Sequence, residues 1–413
     1  MNIQELHNNF SRVFPDSGEP RFFYAPGRVN LIGEHIDYNG GYVFPCALTM
    51  GTYAAICRRD DSIVRLVSGN IEPPVTVDLN DLSYNSAHGW ANYPKGVAKQ
   101  LADMGHKLGG FDMYMWGNLP NGAGLSSSAS VLVLTTLALN NVFDLGISQV
   151  DIALLSQKVE NKYMGVNCGI MDQFASAMGR KDHAILLNCG NLEHKYVPLE
   201  MGDYLLVISN TNAKRGLADT KYNERRAECD RALEILRTVC DVENLCDLDS
   251  DRFAGYSRAA FGDEVVDKGL LDDPSLTGKE IAYKRACHAV AENDRVKHAV
   301  DVLNRGDLVA FGEAMTASHV SLRDLYEVTG HELDSLAVAA WEMNKAITGN
   351  CVTKVLGSRM TGAGFGGCTV SVVNKDSVDE FIREVGKRYT ELTGLKAEFY
   401  VAETDDGARE IFE

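Results

Sequence analysis

Between Gly27 and Gly41 the chain reads Gly27-Arg28-Val29-Asn30-Leu31-Ile32-Gly33-Glu34-His35-Ile36-Asp37-Tyr38-Asn39-Gly40-Gly41. Three charged side chains (Arg28, Glu34 and Asp37) and one imidazole, His35, are interleaved with apolar Val29, Leu31 and Ile32. Burying such a stretch is costly unless its polar groups find partners. A polyhydroxylated ligand supplies them, because carboxylates accept from hydroxyls while imidazole and guanidinium donate. A solvated turn with an internal salt bridge would explain the charges alone. The apolar interleaving and the closing Asn39-Gly40-Gly41 favour a binding loop.

A second cluster runs Leu119-Pro120-Asn121-Gly122-Ala123-Gly124-Leu125-Ser126-Ser127-Ser128-Ala129-Ser130. Glycines let backbone approach an anion, and a helix that starts on serines offers free N–H groups, hydroxyls and a favourable dipole. This is a phosphate cradle without the Gly-Lys-Ser/Thr ending of a Walker A loop. A glycine turn followed by serine caps is the plainer reading, which three consecutive serines before an apolar helix weaken. The third cluster, Met360-Thr361-Gly362-Ala363-Gly364-Phe365-Gly366-Gly367-Cys368, has four glycines in six residues. It is either a very tight turn or a loop that closes over phosphates or over the edge of a nucleotide.

Elements must position these clusters. Residues 20–58 are strand-rich, a helix runs from Trp90 to about Met104, and a strand spans Phe111 to Trp116. The glycine–serine loop then opens a helix carrying Val131, Leu132, Leu134, Leu137 and Leu139. A further helix over 149–163 has Ser148 as N-cap, with Asp151 three residues on. Apolar Tyr204 to Ser209 follows a polar stretch at 191–203, where a boundary divides domain 1–200 from domain 201–413. Beyond it the pattern is mostly helical to about 348, with 249–276 expected as a surface excursion. A strand near 351–356, a strand Cys368 to Val373, a helix over 377–392 and a strand Lys396 to Val401 predict an α+β domain with a split βαβ arrangement.

At 413 residues the chain is long for one core, so two domains are expected. A formal net charge of −17 argues against nucleic acid and against an anionic membrane surface as partners. The ten cysteines form no CxxC pair, and the first residues lack the basic and apolar regions of a leader, so reduced thiols and a cytoplasmic location are expected. No apolar run approaches a membrane span. His183, His288, His298 and His319 show no metal-ligand spacing.

The three clusters, in this order and at these separations, resemble the signature motifs of the GHMP kinases. Chain length, Gly89-Trp90-Ala91-Asn92-Tyr93 and Cys168-Gly169-Ile170-Met171-Asp172-Gln173 resemble the galactokinase branch. The resemblance covers essentially the whole chain. It implies a two-domain α+β architecture with the active site in the cleft between domains, and transfer of a phosphoryl group from ATP, with Mg²⁺, to the C1 hydroxyl of galactose.

Residue by residue, the resemblance makes Asp172 the acidic group against the sugar C1 hydroxyl and Arg28 the cation beside it. A loose transition state asks little of a base, so positioning with late proton acceptance is the expectation for Asp172. Glu34, His35, Ile36, Asp37, Gly169 and Tyr222 match the sugar-binding set. Ser68, Trp90, Gly122, Ala123, Gly124, Leu125, Ser126, Ser127 and Ser128 match the nucleotide-binding set, and Ser128 with Glu160 the magnesium ligands. Ile36 stands where many bacterial galactokinases carry threonine, whereas N-acetylgalactosamine kinases can carry isoleucine. A kinase for N-acetylgalactosamine, arabinose or galacturonate is therefore an alternative. A non-catalytic galactose-responsive regulator is another, which the uninterrupted Gly124 to Ala129 opposes. A monomer or weak homodimer is expected.

Overall fold

The structure, a computed structural model, describes the chain apart from residues 121–122, 214–217, 269–274, 277, 345–352 and 413, with backbone alone at 218 and 219. The first half runs α1 (Ile3–Val13), β1 (Arg21–Asn30), β2 (Tyr42–Val43), β3 (Pro45–Arg58), β4 (Ile63–Ser68), β5 (Val75–Asp78), α2 (Asn92–Asp103), β6 (Phe111–Gly117), α3 (Ser127–Val142), α4 (Gln149–Val159), α5 (Met171–Met178), β7 (His183–Asn188) and β8 (His194–Pro198). The second half runs β9 (Tyr204–Asn210), α6 (Ala218–Leu236), α7 (Ser250–Phe261), α8 (Asp263–Asp267), α9 (Gly278–Asn304), α10 (Leu308–Ser321), α11 (Gly330–Glu342), β10 (Val355–Thr361), β11 (Cys368–Asn374), α12 (Val378–Thr393), β12 (Glu398–Val401) and β13 (Arg409–Ile411).

Among the described residues the strands form three sheets, with orders β13-β1-β3-β6-β4-β5, β10-β11-β9-β12 and β2-β7-β8. The first is covered by α3 and α5, whose apolar residues Leu132, Val133, Leu137, Phe174 and Ala177 join the main core with Phe23, Ala25, Ala54 and Met113. The second has β9 antiparallel to both β11 and β12, so β11-α12-β12 is the expected split βαβ with β9 inserted. One face of it packs Val207, Val355 and Val373 against Leu336, Phe381, Val385 and Tyr389 of α11 and α12. On α10, Gly312 is needed for close approach, because a Cβ there would lie 2.4 Å from the carbonyl oxygen of Leu356.

The chain leaves the β7–β8 hairpin at Pro198 and enters the second sheet at Tyr204. Two expectations need correction. Within the stretch expected as a surface excursion, α7 is a capped and packed helix: Asp249 caps it by accepting from the Arg252 N–H, and Phe253, Ala260 and Phe261 bury one face of it. Beyond the expected strand at 396–401, which β12 matches, the chain adds an unexpected strand, β13, that pairs with β1 through Phe22 and Ile411 and so joins the sheet of the first half. Of the strand expected near 351–356, residues 351 and 352 lie outside the described residues, and β10 extends instead to Thr361.

Candidate active site

Arg28 sits on β1 just after a register shift against β3, and its own N–H donates to the Leu125 carbonyl over 3.2 Å. Its guanidinium, only 4 % exposed, grips Asp172 with two bonds, Nε to Oδ1 at 2.8 Å and Nη2 to Oδ2 at 3.0 Å. Nη1 donates to the Gly124 carbonyl at 2.7 Å, and the Ser126 hydroxyl donates to Asp172 Oδ2 at 2.5 Å. Asp172 lies in the first turn of α5 and keeps 29 % of its side chain exposed, to a cavity of about 220 Å³. Burial disfavours the Arg28 cation, but the carboxylates of Asp172, Glu34 and Asp37 outweigh it and hold its pKa above the ordinary value.

Residues from both halves line that cavity: Arg28, Glu34, His35, Asp37, Asp172 and Gly169 from the first, Tyr222, Gly362 and Ala363 from the second. Buried Glu34 accepts from the Gly362 N–H at 2.8 Å and from Arg359 at 3.3 Å. Asp37 is pushed up to about 7, first by burial and then by the charges of Asp172 and Glu34. A Cβ on Gly169 would lie 2.1 Å from Asp37 Oδ2, so only glycine leaves room for that carboxylate. Tyr222 reaches in from α6 and packs on His35 and Tyr38, with ring centroids 5.5 and 5.6 Å apart. Ile36 is a correction. Its side chain is fully buried, would crowd any Cβ at Gly41, and does not line the cavity.

All three clusters hold a non-glycine residue in the left-handed region: His35 at φ 61°, Ser126 at φ 63° and Phe365 at φ 55°. Such strain persists where surrounding contacts over-determine the backbone, and it concentrates at functional sites.

Ser127 and Ser128, at the start of α3, border both this cavity and a second one of about 180 Å³. Ser68, Trp90, Met115, Trp116, Leu119 and Val131 line the second. Gly124 and Ser126 face the first, whereas Ala123 and Leu125 are buried and line neither, since the turn directs them into the core. Gly122 lies outside the described residues. Glu160 opens a π-helical turn, Glu160–Met164, of a kind that recurs at functional sites. It accepts from Gln173 Nε2 at 2.6 Å and is hydrogen-bonded to Ser128, and burial pushes its pKa up to about 7.

The galactokinase galactose-binding signature matches residues 8–58, the GHMP kinase N-terminal domain residues 92–180, and the GHMP kinase C-terminal domain residues 299–391. The chain is 50 % identical to the galactokinase of Lactiplantibacillus plantarum, covering 100 % of each chain. It is 48 % identical to that of Fusobacterium nucleatum over 99 % of this chain and 100 % of the relative. The chain belongs to the galactokinase family. The structure of Lactococcus lactis galactokinase complexed with galactose superposes with a TM-score of 0.90 at 41 % identity, covering 99 % of this chain and 100 % of that one. Methanococcus jannaschii mevalonate kinase, with a TM-score of 0.62 at 18 % identity, shares the fold.

This galactokinase-family site also uses residues that sequence reasoning passed over. Arg359 is wholly buried, donating to the Ser318 hydroxyl and the Asn30 carbonyl besides Glu34. Glu292, on α9, accepts from the Gly33 N–H at 3.0 Å and pairs with Arg295. His288 donates Nε2–H to the Glu34 carbonyl at 3.2 Å. A lone arginine in the strand Val355–Thr361, and His288 and Glu292 four apart on a helix face rich in alanine, were the available signals. Tyr93 and Met171 add further wall.

Proposed function

We propose that the chain transfers the γ-phosphoryl group of ATP to the C1 hydroxyl of galactose, giving α-galactose 1-phosphate and ADP. One observation carries this reading. The Arg28–Asp172 pair stands between a cluster of sugar-compatible acceptors (Glu34 and Asp37, with Tyr222) and the serine-rich start of α3. Family membership supports the phosphotransfer class, and the galactose complex of the Lactococcus lactis relative supports the sugar.

In this reading Asp172 orients the C1 hydroxyl and takes its proton late, as the O–P bond forms. Arg28 fixes Asp172 and supplies positive charge beside the transferring group. The N–H groups and hydroxyls at the start of α3 receive phosphate oxygens. The second cavity, with Ser68 and Trp90, takes the nucleotide base. Ser128, at the border of the two cavities, and Glu160, hydrogen-bonded to it in the first, offer hard oxygen ligands, which fits Mg²⁺. They would hold the ion, which when bound neutralises phosphate charge.

Ile36 faces the core rather than the cavity and gives no ground for preferring an N-acetylated sugar. The described cysteines are all free thiols, which supports a reducing compartment, and no described helix is long and apolar enough to cross a membrane.

The test is ADP release by purified protein with Mg-ATP and a panel of galactose, N-acetylgalactosamine, glucose, arabinose and galacturonate. Strong turnover on galactose is expected. Preference for another sugar overturns the substrate. Sugar and nucleotide binding without turnover on any of them overturns the enzyme reading in favour of a regulator.

A further inference from the structure

We infer that His35 is a positioning residue rather than a hydrogen-bonding ligand of the sugar, fixed as its Nε2–H tautomer by the Ala363 carbonyl and held by a one-way chain of hydrogen bonds that reaches its Nδ1 from Cys229 through Tyr326 and Tyr38.

The chain begins at a carbonyl. His35 Nε2 lies 3.2 Å from the Ala363 oxygen, which has no proton to give, so Nε2 carries the hydrogen. Burial holds the ring neutral, lowering its pKa to about 3. Nδ1 is then an acceptor, and Tyr38, 2.8 Å away, donates its only hydroxyl proton to it. The Tyr38 oxygen can only accept from Tyr326, whose hydroxyl lies at 2.7 Å. Tyr326 has now spent its proton in turn, so the Cys229 thiol at 3.0 Å donates to the Tyr326 oxygen. The Cys229 sulfur accepts from Asn39 Nδ2 at 3.6 Å, and Asn39 Nδ2 also donates to the His35 carbonyl at 2.9 Å. Every link has one allowed direction, and the last returns to the residue where the first began.

Both ring nitrogens of His35 are thereby occupied. What the ring offers the cavity is shape, with Tyr222 packed on it at 5.5 Å and Tyr326 at 4.8 Å. Cys229 is seven residues, two helical turns, beyond Tyr222 on α6, so the two share a face. Ala363 belongs to the third glycine cluster, whose neighbour Gly362 donates to Glu34. The chain thus ties two walls of the cavity, the Tyr222 helix and the glycine loop, through one imidazole. Tyr326 closes the π-helical turn Leu322–Tyr326 and is fully buried, lining no part of the cavity itself.

Nitrogen NMR of histidine-labelled protein, with the His35 signals assigned by loss in His35→Gln, tests the tautomer without substrate. An Nε2–H, Nδ1-acceptor ring at neutral pH is expected, and an Nδ1–H or doubly protonated ring overturns the inference. The kinetic arm rests on the galactose reading above, whereas the NMR arm does not. In Tyr326→Phe the Nδ1 signal should move and KM for galactose should rise about fivefold, with kcat and KM for ATP within about twofold. Unchanged signals and unchanged KM overturn the chain. If Tyr326→Phe does not fold, Cys229→Ser, which keeps a donor, should retain wild-type KM while Cys229→Ala raises it. Equal behaviour of the two also overturns it.

Discussion

The two cavities that meet at Ser127 and Ser128 are built by different means. The one around Asp172 is walled by ionised and hydrogen-bonded groups drawn from both halves, and its support reaches far along the chain: Glu34 is held by Arg359 and Gly362, 325 and 328 residues away. The one around Trp90 is walled mainly by apolar side chains of the first half, Met115, Trp116, Leu119 and Val131 among them. Buried charges must be individually satisfied, so the first cavity is preorganised and intolerant of change. Apolar walls impose fewer directional demands, so the second should tolerate substitution with graded loss.

That contrast predicts how variants divide. The largest effect is expected from Asp172→Asn, which should lower kcat about 10²- to 10⁴-fold while leaving ATP affinity near normal. Single-turnover and nucleotide-binding measurements check both halves of that statement. Arg359→Met should come next, leaving Glu34 buried without its cation. Thermal or urea unfolding should show a loss of about 3–5 kcal/mol, and a variant as stable as the parent would mean the pair is not a support. Trp90→Ala should raise KM for ATP roughly two- to tenfold, from the loss of ~0.5–1.5 kcal/mol of aromatic contact, without moving KM for the sugar.

A further effect concerns pH. Burial holds Asp37 near pKa 7 in the free cavity, and sugar hydroxyls donating to it would favour the charged form. Sugar binding is then coupled to proton loss. KM for galactose should rise by up to about tenfold per unit as pH falls below about 7, and should be flat above it. A profile of kcat/KM for galactose, taken at saturating Mg-ATP between mildly acidic and mildly basic pH, would show this, and a flat profile would contradict it.

How much of this was legible differs by region for a physical reason. The three clusters carry their chemistry in short contiguous runs, so Arg28, Asp37 and the serines at 126–128 stood out by type and spacing, whereas Asp172 lies outside them and came from the galactokinase resemblance; the structure brings all of them to one place. Facing was not legible inside a run. Ile36, Ala123 and Leu125 share motifs with cavity residues, yet turn into the core because their neighbours at positive φ redirect the chain. Arg359 and Glu292 left only faint signals and Tyr326 and Cys229 none, because each acts through partners set by tertiary packing, not by sequence neighbours. The elements followed their periodicity well, including the split βαβ. The helix α7 was missed because its Asp, Gly and Ser content masked the spacing of Phe253, Ser257, Ala260 and Phe261.

The most direct test of the central claim is phosphorus NMR of the product formed from galactose and Mg-ATP. A phosphate coupled to the anomeric proton of the α-sugar, absent with Asp172→Asn, is the expected result. A phosphate on another carbon, or the same product at undiminished rate from Asp172→Asn, would contradict the roles given to Asp172 and to the cavity that holds it.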